Sequence, residues 1–284
     1  MYSNDKQKEY WTNSAGKLWV KDKLEKDNML EPLGNYALSK FIVSKGSNII
    51  DIGCGTGHTS VQLSNMVGKH GHIDGFDLSQ TMIDEALKYS NSLKKKNISF
   101  TVQDIQNEIL KSKNYDAAFS RFGIMFFSNP IMAFTNIFNS LKNNGLLTFI
   151  CWQKQSENIW YNLGLEIVKK YVDVPVTEEK SPGPFAFADK NYLQNILLNA
   201  GYKNIEFFQY NKEIELFKGY TLESSVRDYL NSTPIFKEKV LLLNNKEKEN
   251  LFIQIKDAWA PFYKDKYLLF PSKTWVVQSF KKYS

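Results

Sequence analysis

Asp51-Ile52-Gly53-Cys54-Gly55-Thr56-Gly57-His58 follows the short apolar run Asn48-Ile49-Ile50 and precedes an amphipathic segment from Thr59 to Val67. That order spells strand, glycine turn, helix. Three glycines at alternate positions let a ligand lie against bare backbone, because no Cβ intervenes. The turn also presents the free N–H groups of a helix start. The alternative is an ordinary tight turn between a buried strand and a helix; the strand and helix on either side favour the ligand-binding reading.

A pyrophosphate-binding turn has G-x-G-x-x-G, with its third glycine inside the helix. Here the spacing is G-x-G-x-G, and an acid, Asp51, closes the strand. A carboxylate repels a bound pyrophosphate and attracts a cationic ligand. S-adenosylmethionine (SAM) carries an α-ammonium, a sulfonium and no phosphate. The run resembles motif I of the class I SAM-dependent methyltransferases. An NAD(P) oxidoreductase is disfavoured by the same two features.

Outward from this turn, strands and helices alternate. His72 to Asp77 reads as a second strand ending in an acid, followed by Leu78 and by Ser79 as the N-cap of a helix to about Leu93. A carboxylate at that tip can accept from both ribose hydroxyls of a nucleoside; taken alone it could equally be a turn carboxylate. Asn97 to Gln103 alternates as a third strand and stops at Asp104-Ile105. The resemblance implies that Asp104 accepts from the adenine amino group and that Ile105 packs on the base; taken alone, Asp104 could equally cap a helix. Tyr115 to Ser120 reads as a fourth strand, and Pro130 to Lys142 as a helix ended by Asn144-Gly145. Leu146 to Trp152 is a fully buried strand. Five strands alternating with helices predict a parallel sheet whose ligands sit beyond the strand carboxyl ends.

The resemblance covers most of the chain and is strongest from Asn48 to Trp152. It is carried further by Tyr10-Trp11 with Ala15-Gly16, by Ser120-Arg121-Phe122-Gly123-Ile124-Met125-Phe126-Phe127, by Cys151-Trp152 and by Pro182-Gly183-Pro184-Phe185-Ala186. It implies an α/β, Rossmann-like, seven-stranded, mostly parallel sheet with flanking helices. It also implies a cofactor set of Asp51, Gly53, Cys54, Gly55, Gly57, Asp77, Leu78, Met82, Asp104, Ile105, Ser120 and Trp19, with SAM bound and S-adenosylhomocysteine (SAH) released.

Residues 1–45 read as an N-terminal helical cover, 46–152 as the SAM-binding core, and 153–284 as the C-terminal part of the fold. In the cover, Tyr10, Trp11, Ala15, Leu18 and Trp19 recur at helix spacing from Lys6 to Met29; they either roof the cofactor or pack on the sheet. Glu31-Pro32 is expected to break that helix before a second one from Leu33 to Ser44. In the C-terminal part, Asn158 to Val172 is expected as a helix and Ser181 to Ala188 as a turn-rich loop with exposed aromatics. Asp189 caps a helix to Ala200, Asn204 to Phe217 and Thr274 to Phe280 are the last two strands, and helical segments between Leu222 and Phe262 are expected to cap the substrate pocket.

Two catalytic candidates stand out. Among 36 basic residues only Arg121 and Arg227 are arginines, so Arg121 at a strand end suggests a use for a rigid guanidinium fork, such as pairing with Asp51 or Asp77; the alternative is a structural ion pair. His58, directly after the glycine motif, is either a general base or a helix-start residue. His70 and His72 read as structural. A net charge of +6 with scattered lysines, clustered only at Lys94-Lys95-Lys96, reads as a solvated surface rather than a nucleic-acid face. Two cysteines and no Cys/His cluster predict no disulfide and no metal, and fit a cytoplasmic setting. No apolar run reaches transmembrane length, and no secretory leader pattern is visible.

The reading is a SAM-dependent methyltransferase moving a methyl group to an O, N or C nucleophile of a small molecule by in-line displacement. A tRNA or protein methyltransferase, or a SAM-binding protein without transferase activity, is the rival. The missing Asn/Asp-Pro-Pro-aromatic signature weakens the DNA and release-factor versions.

Overall fold

The computed structural model describes residues 4–110, 114–175 and 178–281, so the first three residues of the expected cover lie outside the described residues. The chain opens with α1 (Asp5–Glu9), a π-helical turn (Tyr10–Ser14), α2 (Ala15–Lys21) and α3 (Lys23–Lys40). The core alternates β1 (Asn48–Ile52), α4 (His58–Val67), β2 (His72–Asp77), α5 (Gln80–Ser92), β3 (Ile98–Val102), β4 (Tyr115–Arg121), α6 (Pro130–Ser140) and β5 (Leu141–Trp152). Then follow α7 (Ile159–Val168), α8 (Lys190–Asn199), β6 (Lys203–Leu216), α9 (Leu222–Ser232), α10 (Lys237–Leu241), α11 (Asn245–Trp259), β7 (Tyr263–Lys264) and β8 (Tyr267–Phe280).

The strand order is β3-β2-β1-β4-β5-β8-β6, with the two-residue β7 paired to β8 beside this path. β1 to β5 run parallel; β8 is antiparallel to both β5 and β6. β1 and β4 are buried almost throughout because helices cover both faces, which is why their centres, Ile49-Ile50 and Ala117-Ala118-Phe119, are apolar on both sides. From β1 the chain winds outward to β3 and then returns to lay β4 beside β1. Right-handed crossovers in opposite directions put α4 and α5 on one face and α6 on the other, opening a crevice at the β1/β4 switch point.

Several local expectations are corrected. α3 runs straight through Pro32, and the break falls at Asp22 instead. Met29, Leu30, Leu33 and Ala37 form one buried stripe on α3, and that burial outweighs the hydrogen bond lost at Pro32. α6 ends at Ser140, and Asn144-Gly145 lies inside β5, where Asn144 takes φ 62° at an irregularity between β4 and β5. The same left-handed preference that suits a helix end serves a bulge here. β8 begins at Tyr267, well before Thr274, because its first half pairs with the far half of β6, Leu268 opposite Leu216. Phe187 is buried rather than displayed on the Ser181–Ala188 loop.

Candidate active site

The carboxyl ends of β1, β2 and β4 and the loop after β3 surround a cavity of about 230 Å³. The glycine loop forms one wall, and its three glycines serve different ends. Gly53, Gly55 and Gly57 all sit at positive φ (61°, 54° and 83°). A Cβ on Gly53 would stand 2.7 Å from Gly123 Cα, so two bare backbones touch across the switch point. A Cβ on Gly57 would meet Ala86 and Phe100 at 3.0 Å, a packing constraint behind the wall. A Cβ on Gly55 would meet nothing within 4 Å, and Gly55 lines the cavity. The space in front of it is therefore open cavity.

Asp77 lines the cavity at the tip of β2. Its Oδ2 accepts from the Gly55 N–H and its Oδ1 from the Ser79 N–H, both at 2.9 Å. Burial pushes its pKa up, and the backbone N–H groups oppose that shift. Asp104 also lines the cavity. Its Oδ1 accepts from the Gln106 N–H at 3.0 Å and from Asn4 Nδ2 at 3.2 Å, and its Oδ2 from Asn107 Nδ2 at 2.7 Å. Asn4 was not foreseen, because a polar residue ahead of the first helix carries no sequence signal for a partner 100 positions away. Cys54, Leu78, Met82, Ile105 and Trp19 line the same cavity.

Four sequence candidates stand behind its wall. Asp51 is 1% exposed and takes a 2.5 Å hydrogen bond from Ser60 Oγ at its Oδ2. Burial pushes its pKa up to about 7, partly offset by Ser60 and by the Arg121 charge. Its Oδ1 has no hydrogen-bond partner among the described residues. Ser120 is buried and donates to the Ile52 carbonyl at 2.7 Å, lacing β4 to β1. Gly57 packs as described. His58 heads α4 with Nδ1 3.6 Å from Asp27 Oδ2; burial lowers its pKa, so the ring is neutral near pH 7.

Arg121 does line the cavity, but its partner is neither Asp51 nor Asp77. Its Nη2 donates to Asp27 Oδ1 at 2.7 Å. Asp27 is a buried acid on α3 that reads in the sequence as an ordinary exposed helix residue. The rest of the cavity is aromatic. Phe122 stacks on Trp152 with centroids 4.5 Å apart, Trp152 tilts against Trp160 at 4.8 Å, and Trp11 meets Phe126 edge-on at 4.8 Å. Phe122, a buried residue of the cavity wall, holds φ 62°, a strained conformation for an aromatic residue. Trp11 is tied down through its carbonyl, which accepts from Ser79 Oγ at 2.8 Å, so the cover is pinned to the start of α5. None of the lining residues comes from α9–α11; that insertion packs on α7, where a Cβ on Gly164 would meet the Tyr229 ring at 2.9 Å. It borders the pocket only by way of α7, the helix that carries Trp160.

Comparisons with known proteins agree with this geometry. A family model described as a methyltransferase domain matches residues 43–201. The demethylmenaquinone methyltransferase of Staphylococcus epidermidis is 25% identical over 181 residues, covering 60% of this chain and 73% of that protein. The malonyl-[acyl-carrier protein] O-methyltransferase of Bacillus anthracis is 27% identical over 157 residues, 55% of each chain. Among solved structures, the YcgJ protein of Bacillus subtilis superposes with a TM-score of 0.59 at 14% identity, covering 89% of this chain and all of that one. A Haemonchus contortus phosphoethanolamine N-methyltransferase 2, solved with phosphomonomethylethanolamine and SAH, gives 0.59 at 15% identity and covers 100% of this chain and 61% of its own. These two likenesses speak for the fold.

Proposed function

The chain belongs to the methyltransferase-domain family and is a SAM-dependent methyltransferase; from that premise we propose that it methylates a small, largely apolar acceptor held in the aromatic half of its cavity. One observation carries the reading: a single cavity joins Gly55, Asp77 and Asp104 to Phe122, Trp152 and Trp160. The first group suits a nucleoside, and the second suits a flat or greasy partner. The printed name of the Staphylococcus relative, a demethylmenaquinone methyltransferase, supports a small apolar acceptor, whereas the Bacillus relative is named for a malonyl group carried on acyl-carrier protein.

The residues fit the cofactor. Gly55 leaves bare backbone toward the cavity, and Asp77 and Asp104 offer carboxylate oxygens there. Asp77 is the acceptor for ribose hydroxyls, Asp104 for the adenine amino group, and Ile105, Leu78 and Met82 supply apolar walls for the base. Asp51 adds negative charge beneath the glycine loop, and Ser120 and Gly57 hold the loop's frame. When bound, SAM supplies a sulfonium methyl open to in-line displacement by an O, N or C nucleophile.

The protein's part is to orient the acceptor and exclude water. Trp11 paired with Phe126, and Trp152 paired with Trp160, line the cavity and are the rings that would shield the reacting region from water. Orientation alone supplies up to about 7–11 kcal/mol in ideal intramolecular cases. His58 faces Asp27 rather than the cavity, so it is assigned no proton transfer.

The test is calorimetric titration with SAM and SAH, with NADH as control, followed by product analysis with methyl-labelled SAM. The acceptor panel pairs small phenols, quinols and aromatic acids with tRNA. Label on a small acceptor supports the reading. Label on tRNA, or SAM binding with no transfer to any acceptor, moves the protein to a rival class; NADH binding in place of SAM removes the cofactor assignment.

A further inference from the structure

Among the described residues, four charged side chains line the cavity, and the two signs are kept apart. The acids, Asp77 and Asp104, stand at the end of β2 and after β3; the cations, Arg121 and Lys26, stand at the end of β4 and on α3. Asp77 and Asp104 are engaged by the hydrogen bonds given above, and Arg121 is answered by Asp27 at 2.7 Å. Lys26 is different. It is half-buried, and its ammonium makes no hydrogen bond or ion pair with a described residue. The acids beside it in the chain are committed elsewhere, Asp27 to Arg121 and Glu25 to the Phe217 N–H at 3.2 Å.

The helix sets where Lys26 lies. Met29 and Leu30, three and four positions on, share its face of α3, and both line the cavity with it. Asp27 fastens this turn to the end of β4, and Glu25 fastens it to the end of β6. β5, with Trp152 at its tip, lies between those strands in the sheet, so Lys26 is carried beside the aromatic half. That half offers no base. Among the described residues the lining holds no histidine and no tyrosine, and its two carboxylates lie at the nucleoside end. Burial pushes the Cys54 thiol well above its ordinary pKa, which keeps it protonated. A phenol or an alcohol must lose a proton to become a strong nucleophile, and nothing here takes it. A carboxylate is already ionised at neutral pH.

We propose that the acceptor is an apolar or aromatic carboxylic acid, that its carboxylate is the group methylated, and that Lys26 holds it. This rests on the SAM reading above and on the aromatic half of the cavity taking the acceptor. One carboxylate oxygen attacks the sulfonium methyl. A C–O bond forms as the C–S bond breaks, and the electron pair of the broken bond stays on sulfur. No proton moves; the acceptor becomes a neutral methyl ester, and SAH is the other product. The apolar body lies against Phe122, Trp152 and Trp160, while its charge meets the unpartnered ammonium of Lys26. The ester has lost that charge, so the product is held less tightly than the substrate.

The experiment titrates the SAH-loaded full chain with hydrocinnamate and with hydrocinnamyl alcohol, which share a body and differ in charge. Both are then offered as acceptors with methyl-labelled SAM, beside para-cresol and phenethylamine. The acid should bind about tenfold or more tightly than the alcohol. Its labelled product should release labelled methanol in alkali, as a methyl ester does and an ether, amine or C-methyl product does not. Lys26→Met keeps the stem and should erase most of the acid's advantage, leaving SAH affinity within about twofold of wild type; Lys26→Arg should retain much of it. Base-stable label on the phenol or the amine overturns the carboxylate inference and leaves the methyltransferase reading standing. So does an acid that takes no label, or that binds wild type no better than the alcohol or than it binds Lys26→Met. Loss of SAH affinity in Lys26→Met overturns the inference by giving the ammonium to the cofactor. A wild-type chain that binds no SAH overturns the SAM reading itself.

Discussion

Asp27 on α3 and Arg121 at the end of β4 are 94 positions apart in the chain and meet at 2.7 Å, each with about a tenth or less of its side chain exposed. The pair fastens the N-terminal cover to the strand that opens the site. Removing one partner of such a pair strands a charge in a poorly solvated place, which costs about 3–5 kcal/mol in comparable buried pairs. Asp27→Ala is expected to lower unfolding stability by about that amount in chemical denaturation, with Asp27→Asn/Arg121→Gln recovering much of it. Equal stability of Asp27→Ala and wild type would mean the pair contributes nothing to the fold.

Asp77 has a double task, since its oxygens accept from the Gly55 and Ser79 N–H groups and also face the cavity. Asp77→Ala is expected to weaken SAH binding at least tenfold, because hydrogen bonds to a charged group are worth about 1.5–3 kcal/mol each. Asp77→Asn keeps one carbonyl acceptor and should fall between. Calorimetry reads both; wild-type affinity in Asp77→Ala would remove Asp77 from the cofactor's contacts.

What the sequence carried well is what depends on neighbours in the chain. The strand, glycine turn and helix at 48–67 and the acids closing β2 and β3 follow from short-range pattern, and all fall at the expected places. Ser79 and Asp189 cap their helices as their sequence positions imply, because a cap bonds to N–H groups two or three residues on. What stayed hidden depends on long-range company. Asp27 looks like a solvent residue until Arg121 arrives, Asn4 until Asp104 does, and Pro32 looks like a breaker until the buried stripe of α3 is seen to span it. Asn144-Gly145 shows the remaining difficulty: one backbone preference, a left-handed residue, serves both a helix end and a bulge.

The glycines of the loop should separate by what their variants lose. Gly57→Ala places a methyl 3.0 Å from Ala86 and Phe100 at φ 83°, so it should lower stability by about 1–3 kcal/mol. Gly55→Ala meets no neighbour and should lose only about 1–2 kcal/mol from its positive φ. Gly55→Val, with its branches filling ligand space, should abolish SAH binding while the chain still folds. Thermal melts paired with titration distinguish the two positions, and equal SAH affinity in Gly55→Val and wild type would show that the loop is not where the cofactor lies.

Asp51 should write itself into the pH dependence of stability. Its folded pKa, about 7, lies above the ordinary 3.8, so the folded state keeps a proton that the unfolded chain releases. That contribution is fully present below about pH 4 and is lost as pH rises through about 7, with a slope of at most about 1.4 kcal/mol per pH unit. Asp77 is shifted the same way, so the comparison of wild type with Asp51→Asn isolates Asp51. In ligand-free protein the stability difference between them should drift in favour of Asp51→Asn from about pH 4 to pH 7. A flat difference across that range would place the Asp51 pKa near its ordinary value.

Trp160 lies where α7 meets the cavity, tilted against Trp152 and packed beside Tyr161, while the acids of the nucleoside end sit across the sheet on β2 and after β3. A truncation there removes acceptor surface without touching the glycine loop. Trp160→Ala should therefore raise the KM for an apolar acceptor about tenfold or more, as expected for losing about 1.4 kcal/mol or more of aromatic contact, and should leave SAH affinity within about twofold of wild type. Tyr229→Ala, which opens a void behind Gly164 on the same helix, should act in the same direction more weakly, because α9 reaches the acceptor only by holding α7 in place. If Trp160→Ala instead weakens SAH and spares the acceptor, the two halves of the cavity have been assigned the wrong way round.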